Sequence, residues 1–434
     1  MVIVSKFGGT SCSCAEQFRK VKDIVLSNPL RKVVVVSALG KRNKEDNKIT
    51  DLLYLLGAHI KYGVDASHIW KLIYDRYNEI KIELNLSLDL DKEFSIIKKN
   101  VKENFDEAYL VSRGEYLCAK LMSEYLGYTF VDAMDLFCYG FDKELEKETT
   151  KKNVREAYGK YDKIIVPGFY GKNPNGKVHL FTRGGSDVTG ALLAAFLNAK
   201  KYENFTDVTG ILVADPKIIE SPKKIKYINY EELRELSYMG ASVLHEETIL
   251  PLFNLDIPIE ILNTNAPNEE GTIITKNAND DSNLITGIAG KKNYFSITIG
   301  KEKQIDKILV MSNVLNILKK HHISVEHIPT SIDSFSIIVE RKQIENSIYE
   351  VMGAIKNIEG VTDVILDDDI SLVAVVGRNM VTKPGISGMI FGLVGQANIN
   401  IKMITQGAKE LTIIMGVSNN DFEKTIKEIY AKVN

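Results

Sequence analysis

The chain has 434 residues, with 55 Lys+Arg against 57 Asp+Glu and a formal net charge of −2. That balance leaves no basic footprint for nucleic acid or an anionic membrane surface, and no apolar run reaches the length of about 18 residues that a membrane span needs. Four cysteines in so long a chain make no disulfide scaffold, and the N-terminus carries no signal-peptide pattern, so a cytoplasmic setting is expected.

Val2-Ile3-Val4 reads as a short strand buried on both faces. It runs into Lys6-Phe7-Gly8-Gly9-Thr10-Ser11, where paired glycines let a ligand approach the backbone amides. Phe18, Val21, Ile24 and Val25 then recur at helical spacing, with Ser11 or Ser13 as the expected cap. Strand, glycine turn and helix N-terminus together form an anion site, to which Lys6 adds a full charge. A Gly-Gly pair alone equally suits a tight βα turn with a surface lysine. The spacing matches neither a Walker loop nor a dinucleotide fingerprint.

Residues 33–38 predict a second buried strand, followed by a charged loop from Lys41 to Lys48 and a helix opening at Thr50-Asp51-Leu52-Leu53. The pattern then stays helical to about residue 127, with Trp70, Tyr74 and Tyr77 on a core-facing stripe. Strands return at Phe130-Val131, 164–166 and 178–180. This alternation predicts an α/β sandwich with a mostly parallel sheet, whose ligands sit at the carboxyl ends of the strands.

The stretch FTRGGSDVTGALLAAFLN, 181–198, repeats the opening logic, with Arg183 before a Gly-Gly pair and Asp187 in the first turn of a helix. Asp187 has an ordinary explanation in the helix dipole, whereas the forked guanidinium of Arg183 suits carboxylate or phosphate. FTDVTGILVADPK, 205–217, reads as a hairpin or as a further polar strand end. Lys6, Arg183 and Lys217 on three strand ends would make one cationic cleft, with a polyphosphate as its simplest ligand. Cys12-x-Cys14 and His245-Glu246-Glu247 lack the partners that a metal site requires.

Residues 294–340 align without a gap on 370–416, at a constant offset of 76. Val314, Ile317 and Leu318 lie over Ile390, Leu393 and Val394, and Ser336-Ile337-Ile338-Val339 lies over Thr412-Ile413-Ile414-Met415. This is a duplicated β-α-β-β unit, extended in each copy by a second helix, and it suggests regulation. The polar linker 277–282 marks the expected boundary.

KFGGTS at 6–11, SRGE at 112–115, FTRGGSD at 181–187, FTDVTGILVADP at 205–216 and MGASVLH at 239–245, in that order, resemble the aspartokinase pattern, and the tail resembles paired ACT domains. The resemblance implies an amino-acid-kinase-like three-layer α/β sandwich with a mainly parallel central sheet at 1–285. Two ferredoxin-like (βαββαβ) ACT regulatory domains follow at 290–364 and 365–434, their interleaving left open.

The implied reaction transfers the ATP γ-phosphoryl group, with Mg²⁺ on the nucleotide phosphates, to the side-chain carboxylate of L-aspartate. A carboxylate of ordinary pKa about 3.9 needs no catalytic base, so the task is positioning and charge neutralisation. By resemblance Lys6, Gly8, Gly9 and Asp187 are catalytic, with the amides of Gly8 and Gly9 and the hydroxyls of Thr10 and Ser11 on the phosphates and Asp187 orienting Lys6. Glu115 takes the substrate ammonium and Arg183 its α-carboxylate, helped by Ser186 and Thr50. Ser11, Thr206, Asp207, Gly210, Leu212 and Lys217 contact the nucleotide, and no protein metal ligands are expected.

Ser324, Val325, Glu326, Thr330 and Ser331 form the implied effector loop, with Glu326 or Asp306 taking the effector amine. L-lysine is the expected effector and threonine the alternative; a homodimer through the ACT domains is the minimum assembly, a higher homo-oligomer left open. Two positions depart from the pattern. Ser242 stands where a basic nucleotide contact is common, and Glu246 where proline is usual. The first leaves a rival reading, an amino-acid sensor with a silent kinase domain.

Overall fold

The structure is a computed structural model that describes residues 1–181, 184–241, 244, 246–278, 284–407 and 409–433. The chain divides into two compact units. The first comprises Met1–Ile211, Lys226–Tyr230 and Val243–Ala278, and the second Leu212–Ile225, Glu231–Ser242 and Asn279–Asn434.

The first unit opens with β1 (Ile3–Phe7), α1 (Ala15–Leu26) and β2 (Arg31–Val36). Helices α2 (Ile49–Lys61), α3 (Ser67–Glu83), α4 (Leu90–Glu103) and α5 (Glu107–Leu126) follow. Next come β3 (Thr129–Phe130), α6 (Ala133–Leu136), α7 (Lys147–Tyr161), β4 (Ile164–Pro167), the hairpin β5 (Tyr170–Lys172) and β6 (Val178–Leu180), α8 (Gly185–Phe196) and β7 (Lys201–Thr206). Then come β8 (Tyr227–Asn229), α10 (Glu246–Phe253), β9 (Ile259–Asn263) and β10 (Thr272–Thr275), while α9 (Tyr230–Tyr238) falls, after its first residue, in the second unit.

Eight strands form one sheet in the order β3-β4-β2-β1-β7-β9-β10-β8, parallel except for the β9–β10 pair. Every residue of β1 is buried, as the doubly apolar Val-Ile-Val run predicts. The stripe predicted to face the core does so: Tyr77 is buried, and Trp70 and Tyr74 set their rings edge-on to Phe94. The expected serine caps are not observed. Helix α1 has Cys14 at its N-cap position and no side-chain cap; Ser11 lies in the preceding 3-10 turn Thr10–Cys12 with its hydroxyl 2.7 Å from Thr264 Oγ1, and Ser13 ends that turn.

The second unit contains a five-stranded antiparallel sheet. Its elements are β11 (Gly287–Lys301), α11 (Lys307–Lys320), β12 (Ser334–Glu340), α12 (Arg341–Ile344), α13 (Ile348–Lys356) and β13 (Val361–Val376). After them come α14 (Ile386–Gln396), β14 (Met403–Gln406), β15 (Thr412–Val417) and α15 (Phe422–Val433), and the strand order is β12-β11-β13-β15-β14.

The long strands β11 and β13 serve both sequence copies. Tyr294–Gly300 pairs with β12 and with the first half of β13, whereas Gly287–Lys291 pairs with Leu372–Val376. The second copy thus receives a strand from a segment that precedes the first copy. Each copy keeps its own core, with Val314 and Leu318 in one and their counterparts Ile390 and Val394 in the other.

Candidate active site

Parallel pairing sets the register at the carboxyl end of β1, where Lys6 lies opposite Asn204 of β7. Lys6 is 7% exposed, and its Nζ reaches Asp187 Oδ1 at 2.6 Å and Asn204 Oδ1 at 3.3 Å. Asn204 Nδ2 donates to the same Asp187 oxygen at 2.9 Å, closing a three-residue network. Asp187 occupies the first turn of α8, entered through Gly184 at a left-handed φ of 72°, which glycine adopts without strain. Gly190 lets this helix lie against Tyr202, whose ring a Cβ would meet at 2.6 Å.

Beyond Lys6 the chain turns at Gly8-Gly9. The Gly8 amide donates to Phe205 O, so it is not the free phosphate donor that the resemblance implies. Gly9 O accepts from Gly40 N, and a Cβ on Gly40 would lie 2.4 Å from the Gly9 carbonyl carbon. Two backbone stretches therefore touch with no room for a side chain.

Helix α5 carries Glu115 to the same place. It approaches the end of β2 through Gly114, where a Cβ would sit 2.8 Å from that of Ala38. Glu115 is 4% exposed and its Oε2 has no hydrogen-bond partner. Burial pushes its pKa up to about 8, against the Ala38 amide and the neighbouring Arg113, which favour the charged form. A buried carboxyl with one oxygen unsatisfied is poised to receive a cation.

These groups share a cavity of about 380 Å³ whose lining includes Lys6, Gly8, Gly9, Thr10, Thr50, Glu115, Thr206 and Asp207. Gly40, Lys41 and Lys48 line it as well. They belong to the strand end and charged loop that the sequence marks after residues 33–38, although no individual role was expected of any of the three. Asp187 meets the cavity through Lys6. Ser186 is buried in α8 beside Gly168, where a Cβ would come within 2.5 Å of its Oγ.

The remaining expected positions are placed as follows. Ser11 turns to Thr264. Gly210 makes a turn at φ 95°, and Leu212 and Lys217 belong to the second compact unit. Thr182, Arg183, Ser242, Val243 and His245 lie outside the described residues.

In the second unit, Glu326 N donates to Ile338 O and Ser331 N to Ser334 O, so the expected effector loop runs beside β12. Ser324 N is held by Gln343 Oε1 at 2.9 Å, Val325 packs on the core of the first copy, and Thr330 bridges to Phe335. Glu326 Oε2 is buried without a partner. Burial and hydrogen bonding to Glu326 raise the pKa of Tyr238. Asp306 is already used, since it caps α11 by accepting from Ile308 N.

A lysine held by an aspartate at a parallel strand end, above a glycine turn and across from an unsatisfied glutamate, suits a reaction between two anions. The model of the amino acid kinase family matches residues 1–263, and an ACT domain matches 373–433. The chain belongs to the amino acid kinase family. Aspartokinase 3 of Bacillus subtilis is 34% identical over 445 residues, spanning 98% of this chain and 97% of that protein. Aspartate kinase of Clostridium acetobutylicum superposes with a TM-score of 0.95 at 42% identity, covering 100% of both chains. Within the family the chain thus falls among the aspartokinases. Escherichia coli aspartokinase III, 25% identical over 99% or more of both chains, gives TM-scores of 0.78 in complex with aspartate and ADP and 0.79 with lysine and aspartate.

No helix among the described residues is long and apolar enough to cross a membrane.

Proposed function

We propose that this chain transfers the ATP γ-phosphoryl group to the side-chain carboxylate of L-aspartate in the Lys6 cavity, giving 4-phospho-L-aspartate and ADP. The observation that carries the reading is the cavity itself, which joins a lysine clamped by Asp187 to a buried glutamate with a free oxygen. The lysine neutralises charge that spreads over the transferring group, and Gly8 keeps the space beside its Nζ clear. Glu115 receives the substrate ammonium, with Thr50 on the same wall. The carboxylate oxygen of aspartate attacks the γ-phosphorus as the bond to the ADP oxygen breaks, and no proton need be removed.

Asp207 lines the cavity, and its carboxylate would hold Mg²⁺ carried on the nucleotide phosphates, where the ion would draw off phosphoryl charge. The nucleotide lies beyond Thr206 and Asp207, with Ser186 and Arg183 assisting the substrate.

L-lysine is the proposed effector, bound at Ser324, Val325, Glu326, Thr330 and Ser331, in keeping with the E. coli enzyme solved with lysine. The working assembly is a homodimer joined through the ACT units. The test is acyl-phosphate formation trapped with hydroxylamine. Product should require both aspartate and ATP, fall with millimolar lysine and vanish in Lys6→Ala. Absence of product from folded protein with Mg²⁺ present would refute the reading.

A further inference from the structure

The segment 40–48 joins β2 to α2 and has no regular structure, yet both of its ends are fastened. Arg76, on α3, is 5% exposed. Its Nη2 donates to Gly40 O at 2.8 Å and to Ser13 O at 3.3 Å, and its Nη1 to Asn47 O at 3.1 Å. The same Nη1 lies 2.8 Å from Asp46 Oδ2. Asp46 in turn accepts from the amide and Nε of Arg42, whose Nη1 pairs with Glu79 at 2.7 Å. One planar guanidinium thus holds the start of the strap, its end and the residue before Cys14, a geometry that a lysine cannot reproduce.

The strap carries Lys41 and Lys48 to the cavity wall. Both are exposed, and neither is ion-paired among the described residues, whereas Lys6 is occupied by Asp187. The cavity wall therefore carries two cations with no ion-pair partner among the described residues, placed by a segment whose own bonds run only among residues 42–46 and whose two ends are tied to α3 by Arg76.

We propose that Arg76 is a positioning residue for phosphoryl transfer. By clamping the strap it holds Lys41 and Lys48 against an anionic group of the bound substrates, a phosphoryl or a carboxylate oxygen. The inference rests on reading the cavity as the ATP and aspartate site.

The test compares wild type, K41A/K48A, R76K and the triple variant. ADP affinity is read by calorimetry, and KM for aspartate and ATP at low and high salt. K41A/K48A, which changes exposed side chains only, should weaken one ligand about tenfold at low salt and flatten the salt dependence. A loss in ADP affinity assigns the lysines to phosphoryl oxygens, and a loss in aspartate KM alone assigns them to the carboxylate. R76K should lose a comparable factor. The triple variant should be no worse than K41A/K48A within about twofold, because residues acting through one another are not additive.

Unchanged affinities and KM values in K41A/K48A would overturn the proposal, and so would losses that multiply in the triple variant. If R76K does not fold, D46N loosens the same clamp without changing side-chain volume and should behave as R76K is expected to. ADP titration does not depend on turnover, so a wild type that binds ADP but makes no acyl phosphate would count against the proposed function and leave this inference readable.

Discussion

Asp187 Oδ1 lies 2.6 Å from Lys6 Nζ and also accepts from Asn204 Nδ2 at 2.9 Å, so one carboxylate oxygen fixes both groups at the end of two adjacent strands. The lysine arrives already aimed, without having to order a flexible stem when the transition state forms. Asp187→Asn keeps the shape and removes the charge that holds Nζ in place. It should lower kcat on the order of 100-fold with KM for ATP changed by less than about threefold. Steady-state kinetics check this. A rise in KM at unchanged kcat would make Asp187 a binding group instead.

Glu115 ties substrate binding to pH. Its pKa stands at about 8 because the carboxyl is buried, so at neutral pH the ligand-free site holds it largely protonated. Only the charged form attracts an ammonium, and KM for aspartate should therefore fall as pH rises from 6 towards 8, then level off. Glu115→Gln should weaken aspartate binding and abolish that slope.

The stability sign runs the other way. The folded-state pKa lies above the ordinary value of 4.5, so the folded protein retains a proton that the unfolded chain has released between roughly pH 4.5 and 8. Folding stability is lost across that window as pH rises. Without ligand, Glu115→Gln should melt close to wild type near pH 4.5 and above it at pH 8, a comparison that thermal unfolding makes directly.

The contact between Gly40 and Gly9 predicts a sharp asymmetry among glycines. A Cβ at Gly40 would fall 2.4 Å from the Gly9 carbonyl carbon and 2.6 Å from Thr10 N, and backbone cannot swing aside as a side chain can. Gly40→Ala should abolish turnover and cost about 1–3 kcal/mol of stability. Gly159, on α7, has open space where its Cβ would be, and Gly159→Ala should stabilise by about 0.5–1 kcal/mol with activity intact. Urea unfolding and the hydroxylamine assay separate the two.

How far these features are legible in the sequence depends on how local their causes are. The strand, turn and helix at 3–26 can be read because β-branched residues, a glycine pair and a helical period agree over a short span. The duplicated tail can be read because a pattern recurs at fixed spacing. The pairing of Gly287–Lys291 with Leu372–Val376 has no local sign, since the whole of the first copy lies between the two segments in the chain.

Arg76 is hidden for the same reason. Between Asp75 and Tyr77 it looks like one more charge on a helix, and what buries it lies 29, 36 and 63 residues away in the chain. The expected cap at Ser11 fails because a 3-10 turn at Thr10–Cys12 moves the start of α1 past Cys14, and the partner its hydroxyl finds, Thr264, lies 253 residues away. Glu115 stands out only through the SRGE resemblance, for composition alone does not distinguish a buried glutamate from an exposed one.

Glu326 makes the last prediction, on regulation. Its Oε2 is buried and unsatisfied beside the strand formed by β12, and Tyr238 already bonds the carboxyl. An effector ammonium would supply the missing partner, so millimolar L-lysine should raise the unfolding temperature, and Glu326→Gln should lose both that rise and the inhibition. Feedback acts only through differential affinity for two states of the enzyme, and such coupling is reciprocal. Saturating ATP and aspartate should therefore weaken lysine binding, by about 5- to 150-fold for a coupling of 1–3 kcal/mol. Calorimetric titration of lysine with and without both substrates measures that factor. Tight lysine binding that ignores the substrates would leave the effector loop as a ligand site with no hold on catalysis.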